Sequence, residues 1–137
     1  MAVVIDASAL FALTDRREPS HARIRSLLNG EVEAIVVPQA VLPEACHLVR
    51  TRLGAWAEVA LVQGLVTSDW RLEPLVVADM PRVAELVEGY ADADLGFVDA
   101  ALVATAERLG VRRIYTLDRR HFSLVRPRHA ETFELLP

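Results

Sequence analysis

The amino-acid sequence predicts an α/β domain with a mainly parallel sheet of four to five strands. Short apolar runs rich in valine and isoleucine alternate along the chain with longer segments in which apolar residues recur at helical spacing. Asparagine, glycine and proline mark several boundaries between these segments, as expected where strands give way to helices. With 137 residues, 53% of them hydrophobic, the chain is long enough to bury the core of one domain, residues 1–137.

Clear start and stop signals divide the first half of the chain. A charged turn at residues 15–18 separates two predicted helices, Asn29 and Gly30 close the second, and Gly54 ends the third. Pro38 suits the first turn of that third helix, where the backbone N–H has no partner in any case. We predict strands at residues 1–5 and 32–37, and helices at residues 7–14, 19–28, 39–53 and 55–65.

The second half continues the alternation. Pro74 lies within an apolar run, which favours an edge strand or a bulge there. Asp79 can cap a helix, and Gly110 is a C-cap signal after a strongly helical stretch. We predict strands at residues 70–77, 113–117 and 131–136, helices at 79–90 and 97–109, and a polar connection at 91–96. This order predicts crossover connections that place helices on both faces of the sheet.

Residue counts exclude several classes of protein. All fifteen basic side chains are arginine, and the absence of lysine excludes P-loop phosphate binding and Schiff-base chemistry. The single cysteine, Cys46, excludes an intrachain disulfide framework and fits the cytoplasm. No apolar run approaches the ~18 residues that span a bilayer, and the acid at position 6 argues against a secretory leader. A net charge of −4 argues against a general nucleic-acid coating protein, whereas a nuclease that binds divalent cations needs surplus carboxylate.

Four acidic residues occupy equivalent ends of the predicted elements. Asp6 and Asp118 each end a strand, whereas Glu44 and Asp99 lie near the start of a helix on an otherwise apolar face. Ligands of parallel sheets bind beyond the carboxyl ends of the strands, so these side chains are expected to meet in one crevice. Each acid alone could instead cap a helix or pair with an arginine. Together they would need a cation to offset their repulsion, and Mg²⁺ or Mn²⁺ prefers such ligands and polarises phosphodiesters.

Four longer motifs are spread in order over the whole chain. They are VVIDASALFAL near the start, VLPEACHLV in the middle, and LGFVDAALVATAERLG and IYTLDRRHF towards the end. Together they resemble PIN domains, and more narrowly the VapC-type toxins, which are the ribonucleases of bacterial toxin–antitoxin pairs. The resemblance implies a three-layer α/β/α sandwich and an Mg²⁺-dependent endoribonuclease, with Mn²⁺ as a possible substitute. It also implies a cytoplasmic homodimer that a cognate antitoxin blocks.

The resemblance assigns catalytic roles to the four acids. We call Asp6, Glu44, Asp99 and Asp118 the acidic quartet. Asp6 and Asp99 would be the principal metal ligands. Glu44 and Asp118 would hold the ion through water or bind a second ion when RNA arrives.

Four neighbouring residues have open alternatives. Ser8 and Thr116 resemble small hydroxyl positions of the family and could orient the carboxylates two residues away, or bond to backbone as turn hydroxyls. Asp92 or Asp94 could be an auxiliary acid of the site, or both could cap the helix that begins near residue 97.

Basic residues close to Asp118 are candidates for holding RNA. Guanidinium groups bind phosphate and stack on unpaired bases, so Arg119 and Arg120 are predicted to contact the substrate. For His121 we favour a surface role or contact with the substrate backbone over catalysis. Further RNA candidates are Arg16, Arg17, Arg50, Arg52, Arg126 and Arg128, whereas ion pairing with glutamates is favoured for Arg112 and Arg113.

The sequence leaves the biological partner open. The apolar helices of residues 41–65, including Trp56, could form a groove for an antitoxin helix, or could be core and dimer contact. Two alternatives to the toxin are a PIN-domain nuclease that processes RNA without an antitoxin and a catalytically silent PIN domain that only binds. The complete acidic quartet argues against the silent domain. A haloacid-dehalogenase-type phosphatase is disfavoured, because Ser8 stands where that chemistry needs a second aspartate.

Overall fold

A computed structural model describes residues 1–137, which form a five-stranded, fully parallel sheet in the order β3-β2-β1-β4-β5. The strands are β1 (Ala2–Ile5), β2 (Ala34–Pro38), β3 (Arg71–Glu73), β4 (Arg113–Tyr115) and β5 (Glu134–Leu136). The helices are α1 (Ala7–Thr14), α2 (His21–Asn29), α3 (Leu42–Leu53), α4 (Ala55–Thr67), α5 (Met80–Gly89), α6 (Phe97–Leu109) and α7 (Arg119–Leu124). The predicted α/β class with a parallel central sheet is confirmed.

The strand order creates a crevice at the centre of the sheet. β1 pairs with β2 on one side and with β4 on the other, so Val4 lies between Val36 and Ile114. The chain therefore winds outward from β1 in one direction, then returns and winds outward in the other. At such a reversal the connections after β1 and β4 diverge, and ligands of open parallel sheets bind in the space between them.

The helices pack in two groups around an apolar core. Helices α1 to α4 contact one another, and α5 packs on α6. Seven consecutive residues of α6, Ala100–Ala106, are buried, because small side chains allow this helix to lie against its neighbours on all sides. The longest helices have 13 residues, and none of the helices is long and apolar enough to cross a membrane.

Several predicted boundaries are corrected by the structure. Pro38 is the last residue of β2 rather than the start of a helix; a short 3₁₀ turn, Gln39–Val41, follows it, and α3 carries Pro43 in its first turn. β3 spans only three residues and stops before Pro74, because proline cannot continue the ladder. No element was predicted for the residues directly after Asp118, and they form the short helix α7.

Candidate functional site

The acidic quartet lies at the carboxyl edge of the sheet, where four helices begin. Asp6 and Asp118 are the N-cap residues of α1 and α7, and Glu44 and Asp99 lie in the first turns of α3 and α6. The N-terminal end of a helix carries partial positive charge, which favours carboxylates there. The predicted convergence is observed, since the charges of Asp6 and Asp118 act directly on both Glu44 and Asp99.

Asp6 is the most buried member of the quartet, with 4% of its surface exposed. Its Oδ2 accepts hydrogen bonds from Thr116 Oγ1 at 2.9 Å and from Ser8 Oγ at 3.0 Å. The same two hydroxyl oxygens accept the backbone N–H groups of Asp118 and Leu117, both at 2.9 Å. Each hydroxyl proton is thus directed at Asp6, so both hydroxyls orient its carboxylate. Thr116, expected to act on Asp118, instead bonds the Asp6 side chain.

Asp118 is held by His121, one turn later in α7. Asp118 Oδ1 accepts the backbone N–H of His121 at 3.1 Å, and its Oδ2 lies 2.7 Å from His121 Nδ1. The other ring nitrogen, Nε2, lies 3.1 Å from the carbonyl oxygen of Ala93. The bond to Asp118 raises the pKa of His121, since only the protonated ring can donate to both acceptors. His121 therefore positions a site acid, a role that the sequence analysis missed.

The acidic quartet carries negative charge that no neighbouring arginine neutralises. Burial, reinforced by the charges of Asp6 and Asp118, raises the pKa of Asp99 from 3.8 to about 6. Burial also raises the pKa of Asp6, against the opposing effect of its two hydroxyl donors, and raises the pKa of Glu44. No arginine forms an ion pair with any member, although many other carboxylates of the chain have an arginine partner. The site lacks the positive charge that would normally accompany so many acids.

The donor set suits a hard divalent cation. Carboxylate oxygens of Asp99 and Asp118 lie within 4.8 Å of each other and of a ring nitrogen of His121, but both nitrogens of that ring are already bonded, to Asp118 and to Ala93. Carboxylate oxygens are the ligands that Mg²⁺ and Mn²⁺ prefer, and an added cation would relieve the repulsion that raises the acid pKa values. This compact group shares only Asp99 with the predicted principal pair of Asp6 and Asp99.

Two predicted auxiliary acids stand apart from these contacts. Asp92 and Asp94 are exposed and form no hydrogen bond or ion pair with the quartet. The idea that they cap α6 is wrong, because the N-cap residue is Gly96 and no side chain caps that helix. Asp94 instead adopts a left-handed conformation, with φ of 61°, where the chain turns towards α6.

The predicted RNA-binding arginines, Arg119 and Arg120, differ in whether their side chains are already hydrogen-bonded within the chain. Arg119 Nη1 donates to the carbonyl oxygens of Pro137 at 2.8 Å and Leu135 at 3.4 Å, so its guanidinium binds the C-terminal strand. Arg120 is exposed and its side chain has no hydrogen-bond partner. The expected ion pairing of Arg113 is confirmed, with Glu31 at 3.0 Å and Glu33 at 3.3 Å, whereas Arg112 has no such partner.

Solved structures share this fold. VapC20 of Mycobacterium tuberculosis, a toxin that cleaves the sarcin–ricin loop, superposes with a TM-score of 0.80 at 22% identity, covering 85% of this chain and 90% of that one. VapBC2 of Rickettsia felis, solved on a DNA fragment from its promoter, gives a TM-score of 0.72 at 13% identity over 99% of this chain and 98% of that one. At such identities the likeness establishes the three-layer fold alone.

Sequence comparison identifies the family. The family model for the PIN domain matches residues 3–126. Ribonuclease VapC26 of Mycobacterium tuberculosis is 39% identical over 135 residues, which cover 98% of this chain and 100% of that protein. The chain therefore belongs to the PIN-domain family, within its VapC branch.

Proposed function

We propose that this chain is an Mg²⁺-dependent endoribonuclease, with Mn²⁺ as a substitute, that acts as the toxin of a VapBC-type pair. The supporting observation is the acidic quartet, four carboxylates at the central crevice with no arginine partner. The 39% identity to Ribonuclease VapC26 supports RNA as the substrate. We further propose that residues 1–137 work as one PIN domain in the cytoplasm. That compartment contains RNA, and its reducing conditions suit a chain with a single free cysteine.

Within this proposal, Asp6 and Asp99 would hold the cation directly, and Glu44 and Asp118 would hold it through water or bind a second ion when RNA arrives. A bound divalent cation supplies positive charge to the phosphodiester and lowers the pKa of water. Thr116 and Ser8 favour the ionised form of Asp6 by donating to its Oδ2, against the effect of its burial. His121 restrains Asp118 by donating from Nδ1 to its Oδ2.

The chain offers no competing nucleophile at this crevice. The hydroxyl protons of Ser8 and Thr116 are already bonded to Asp6, and no histidine lies within hydrogen-bond reach of either oxygen as a base. Burial raises the pKa of the Cys46 thiol, which keeps it protonated and unreactive. Hydrolysis by water is therefore the reaction that these residues support.

Cleavage of RNA by the purified chain tests the proposal. We expect cleavage with Mg²⁺, none with EDTA, and none by Asp6→Asn at matched concentration of folded protein. Asp69→Asn, a change of the same kind at an exposed residue outside the crevice, should retain full activity. Undiminished cleavage in EDTA, or by Asp6→Asn, would refute the metal-nuclease proposal.

We also propose a cognate antitoxin and a homodimer. Structural neighbours include VapBC complexes, and α4 presents Trp56, Val59, Val62 and Val66 to solvent, with exposed fractions of 72%, 52%, 46% and 79%. Beside them, between α1 and α4, lies an apolar groove of about 310 Å³ that also includes Leu61. An amphipathic antitoxin helix would bury this face. Growth arrest on expression, relieved by a small neighbouring reading frame, supports the toxin; growth arrest without such relief would indicate a nuclease that has no antitoxin.

A further inference from the structure

A second charged surface lies away from the quartet and has the opposite sign. It is a cleft of about 840 Å³ between the α1–α2 turn and the C-terminal end of α3. We call it the arginine cleft, and its basic residues are Arg16, Arg17, His21, Arg25 and Arg52. Asp15 is the one carboxylate on its walls. In a chain with a net charge of −4, such a concentration of positive charge is a local feature of the fold.

The positive charge of the arginine cleft is not neutralised within the chain. Arg16, Arg25 and Arg52 are exposed, and none of them forms an ion pair with a carboxylate. Arg17 has only a loose contact, 3.6 Å from Nε to Asp15 Oδ1, with 82% of its side chain exposed. By contrast, six arginines elsewhere have carboxylate partners, at Arg50, Arg71, Arg82, Arg108, Arg113 and Arg128. The cleft is therefore free to bind an anion.

Aromatic rings accompany these cations. The Arg52 guanidinium carbon lies 5.3 Å from the centroid of the Phe11 ring, and the indole of Trp56 is 72% exposed on the cleft wall. Gly54 makes room for that indole, because a Cβ at this position would lie 3.1 Å from Trp56 Cδ1. An exposed aromatic face beside guanidinium groups is the combination that binds unpaired bases and the phosphates between them.

Two helices connect the arginine cleft to the quartet. Helix α1 begins at Asp6 and ends beside the cleft residues Asp15 and Arg16. Helix α3 carries Glu44 in its first turn and Arg52 in its last. Eight residues of α-helix span about 12 Å, a distance that a few nucleotides cover. A strand seated in the cleft could therefore continue along these helices to the carboxylates.

We propose that the arginine cleft binds single-stranded RNA next to the scissile bond, with its phosphates on Arg16, Arg25 and Arg52 and an unpaired base on Trp56. The choice of RNA as ligand rests on the function proposed above. Without a bound cation the acidic quartet repels phosphate, so RNA affinity measured in EDTA must come from another surface. An acidic protein segment would also satisfy the arginines, but aspartate and glutamate side chains have no planar ring that could stack on the Trp56 indole as an unpaired base does.

Binding is measured by fluorescence anisotropy with a labelled, unstructured 12-nucleotide RNA and the full chain in EDTA, which prevents cleavage. For the triple variant Arg16→Gln/Arg25→Gln/Arg52→Gln we expect the slope of log K against log salt to shrink by about 2, from three lost phosphate contacts. Trp56→Ala should weaken binding about tenfold, and Trp56→Phe should restore most of the loss.

A pair of double variants is the matched control. Arg23→Gln/Arg112→Gln removes two exposed arginines that have no carboxylate partner and lie outside the cleft, and it should keep wild-type affinity and slope. Arg16→Gln/Arg52→Gln removes the same charge from inside the cleft and should weaken binding and reduce the slope. Equal losses in both double variants, or no loss in either, would overturn the proposal. So would a ten-residue glutamate peptide that binds wild type as tightly as the RNA and is unaffected by Trp56→Ala, since the occupant would then be an acidic protein segment.

Catalysis separates this inference from the proposed function. With Mg²⁺ present, the cleft triple variant should raise KM for RNA about tenfold or more and leave kcat unchanged, because the quartet is intact. A fall in kcat with unchanged KM would contradict the cleft as a substrate site. Wild-type protein that binds RNA through the cleft but does not cleave it would refute the proposed function and leave this inference standing.

Discussion

Two regions of this molecule concentrate carboxylates, and they differ in what neutralises them. In the first, which we call the paired cluster, Glu73 and Asp79 are each 6% exposed, and the Arg108 guanidinium lies 2.9 Å from both. Burial opposes ionisation there, but hydrogen bonds from Arg108 and Arg71 outweigh it and lower the pKa of Glu73. In the second, the acidic quartet, burial is similar at Asp6 but no arginine approaches, and the pKa values of Asp6 and Asp99 are raised.

The comparison shows how a structural acid differs from a site acid in this fold. Buried carboxylates that serve stability are paired, because an unpaired buried charge is costly. The quartet keeps this cost, reduced only by hydroxyl donors, one histidine and four helix N-termini. A bound cation would remove this free energy penalty, so the missing arginine supports the proposed cation site.

Substituting one acid in each region should give the largest difference between the two regions, in both RNA cleavage and thermal stability. Asp99→Asn should lower kcat/KM for RNA about a thousandfold or more, since it removes a metal ligand, while thermal stability stays equal or rises. Glu73→Gln should do the opposite, with activity retained per folded molecule and a lower Tm. Steady-state RNA cleavage and thermal unfolding on the same preparations check both. Loss of activity in Glu73→Gln, with Asp99→Asn unaffected, would reverse the assignment of the two regions.

Arg108→Gln should lower the free energy of unfolding by about 2 kcal/mol, because it leaves the two buried carboxylates of the paired cluster without their cation. The loss is no larger because the Arg108 side chain is partly exposed to solvent. Urea denaturation measures this loss. Arg23→Gln, at an exposed residue without a partner, should change stability by less than about 0.5 kcal/mol. Equal effects of the two substitutions would mean that the paired cluster is not a stabilising element.

The smallest contrast is in the pH dependence of Tm, measured in EDTA. Burial and the charges of Asp6 and Asp118 raise the pKa of Asp99 to about 6, so the folded state binds the proton more tightly and stability falls as pH rises from 3.8 through 6. The advantage of Asp99→Asn over wild type should therefore grow across that range. An advantage that is constant or shrinks over the same range would contradict the repulsion.

Glu31 should give the opposite dependence of stability on pH. Despite its burial, hydrogen bonds from Arg113 and Tyr115 lower the pKa of Glu31 from 4.5 to about 2. Its contribution to stability is complete above pH 4.5 and is lost as pH falls through about 2. Wild type should therefore exceed Glu31→Gln in Tm at neutral pH, and the two should converge in acid. A difference that is unchanged at pH 2 would contradict the ion pair.

The elements that the sequence predicted best are those with strong local signals. Helices α1 and α6 begin and end at the predicted residues, because buried small and apolar residues fill them and Gly110 supplies a left-handed cap. Strand β3 was predicted too long, because its apolar run continues past Pro74 although pairing does not. Helix α7 was missed because it is six residues long; Asp118 as N-cap, with its side chain accepting the N–H of His121, was the available signal.

The candidate site likewise has features that local sequence patterns predict and features that they do not. Strand ends were enough to predict that the quartet meets in one crevice. The two-residue separation made Ser8 a candidate to orient Asp6, with a backbone bond as the open alternative. The contacts of Thr116 with Asp6 and of His121 with Ala93 join residues far apart in the sequence, and no local pattern encodes them. The arginine cleft was not predicted either: Arg16, Arg17 and Arg52 were separate RNA candidates, and Arg25 was not a candidate until the fold brought it to the same surface.

The most direct test of the quartet as a cation site is the change in Tm on adding Mg²⁺ at pH 7. Wild-type protein should gain stability with rising Mg²⁺, because binding to the folded state alone shifts the unfolding equilibrium. Asp99→Asn should start from an equal or higher Tm and gain little or nothing. An identical Mg²⁺-dependent gain in both proteins, or none in wild type, would show that these carboxylates meet for some reason other than to hold a metal.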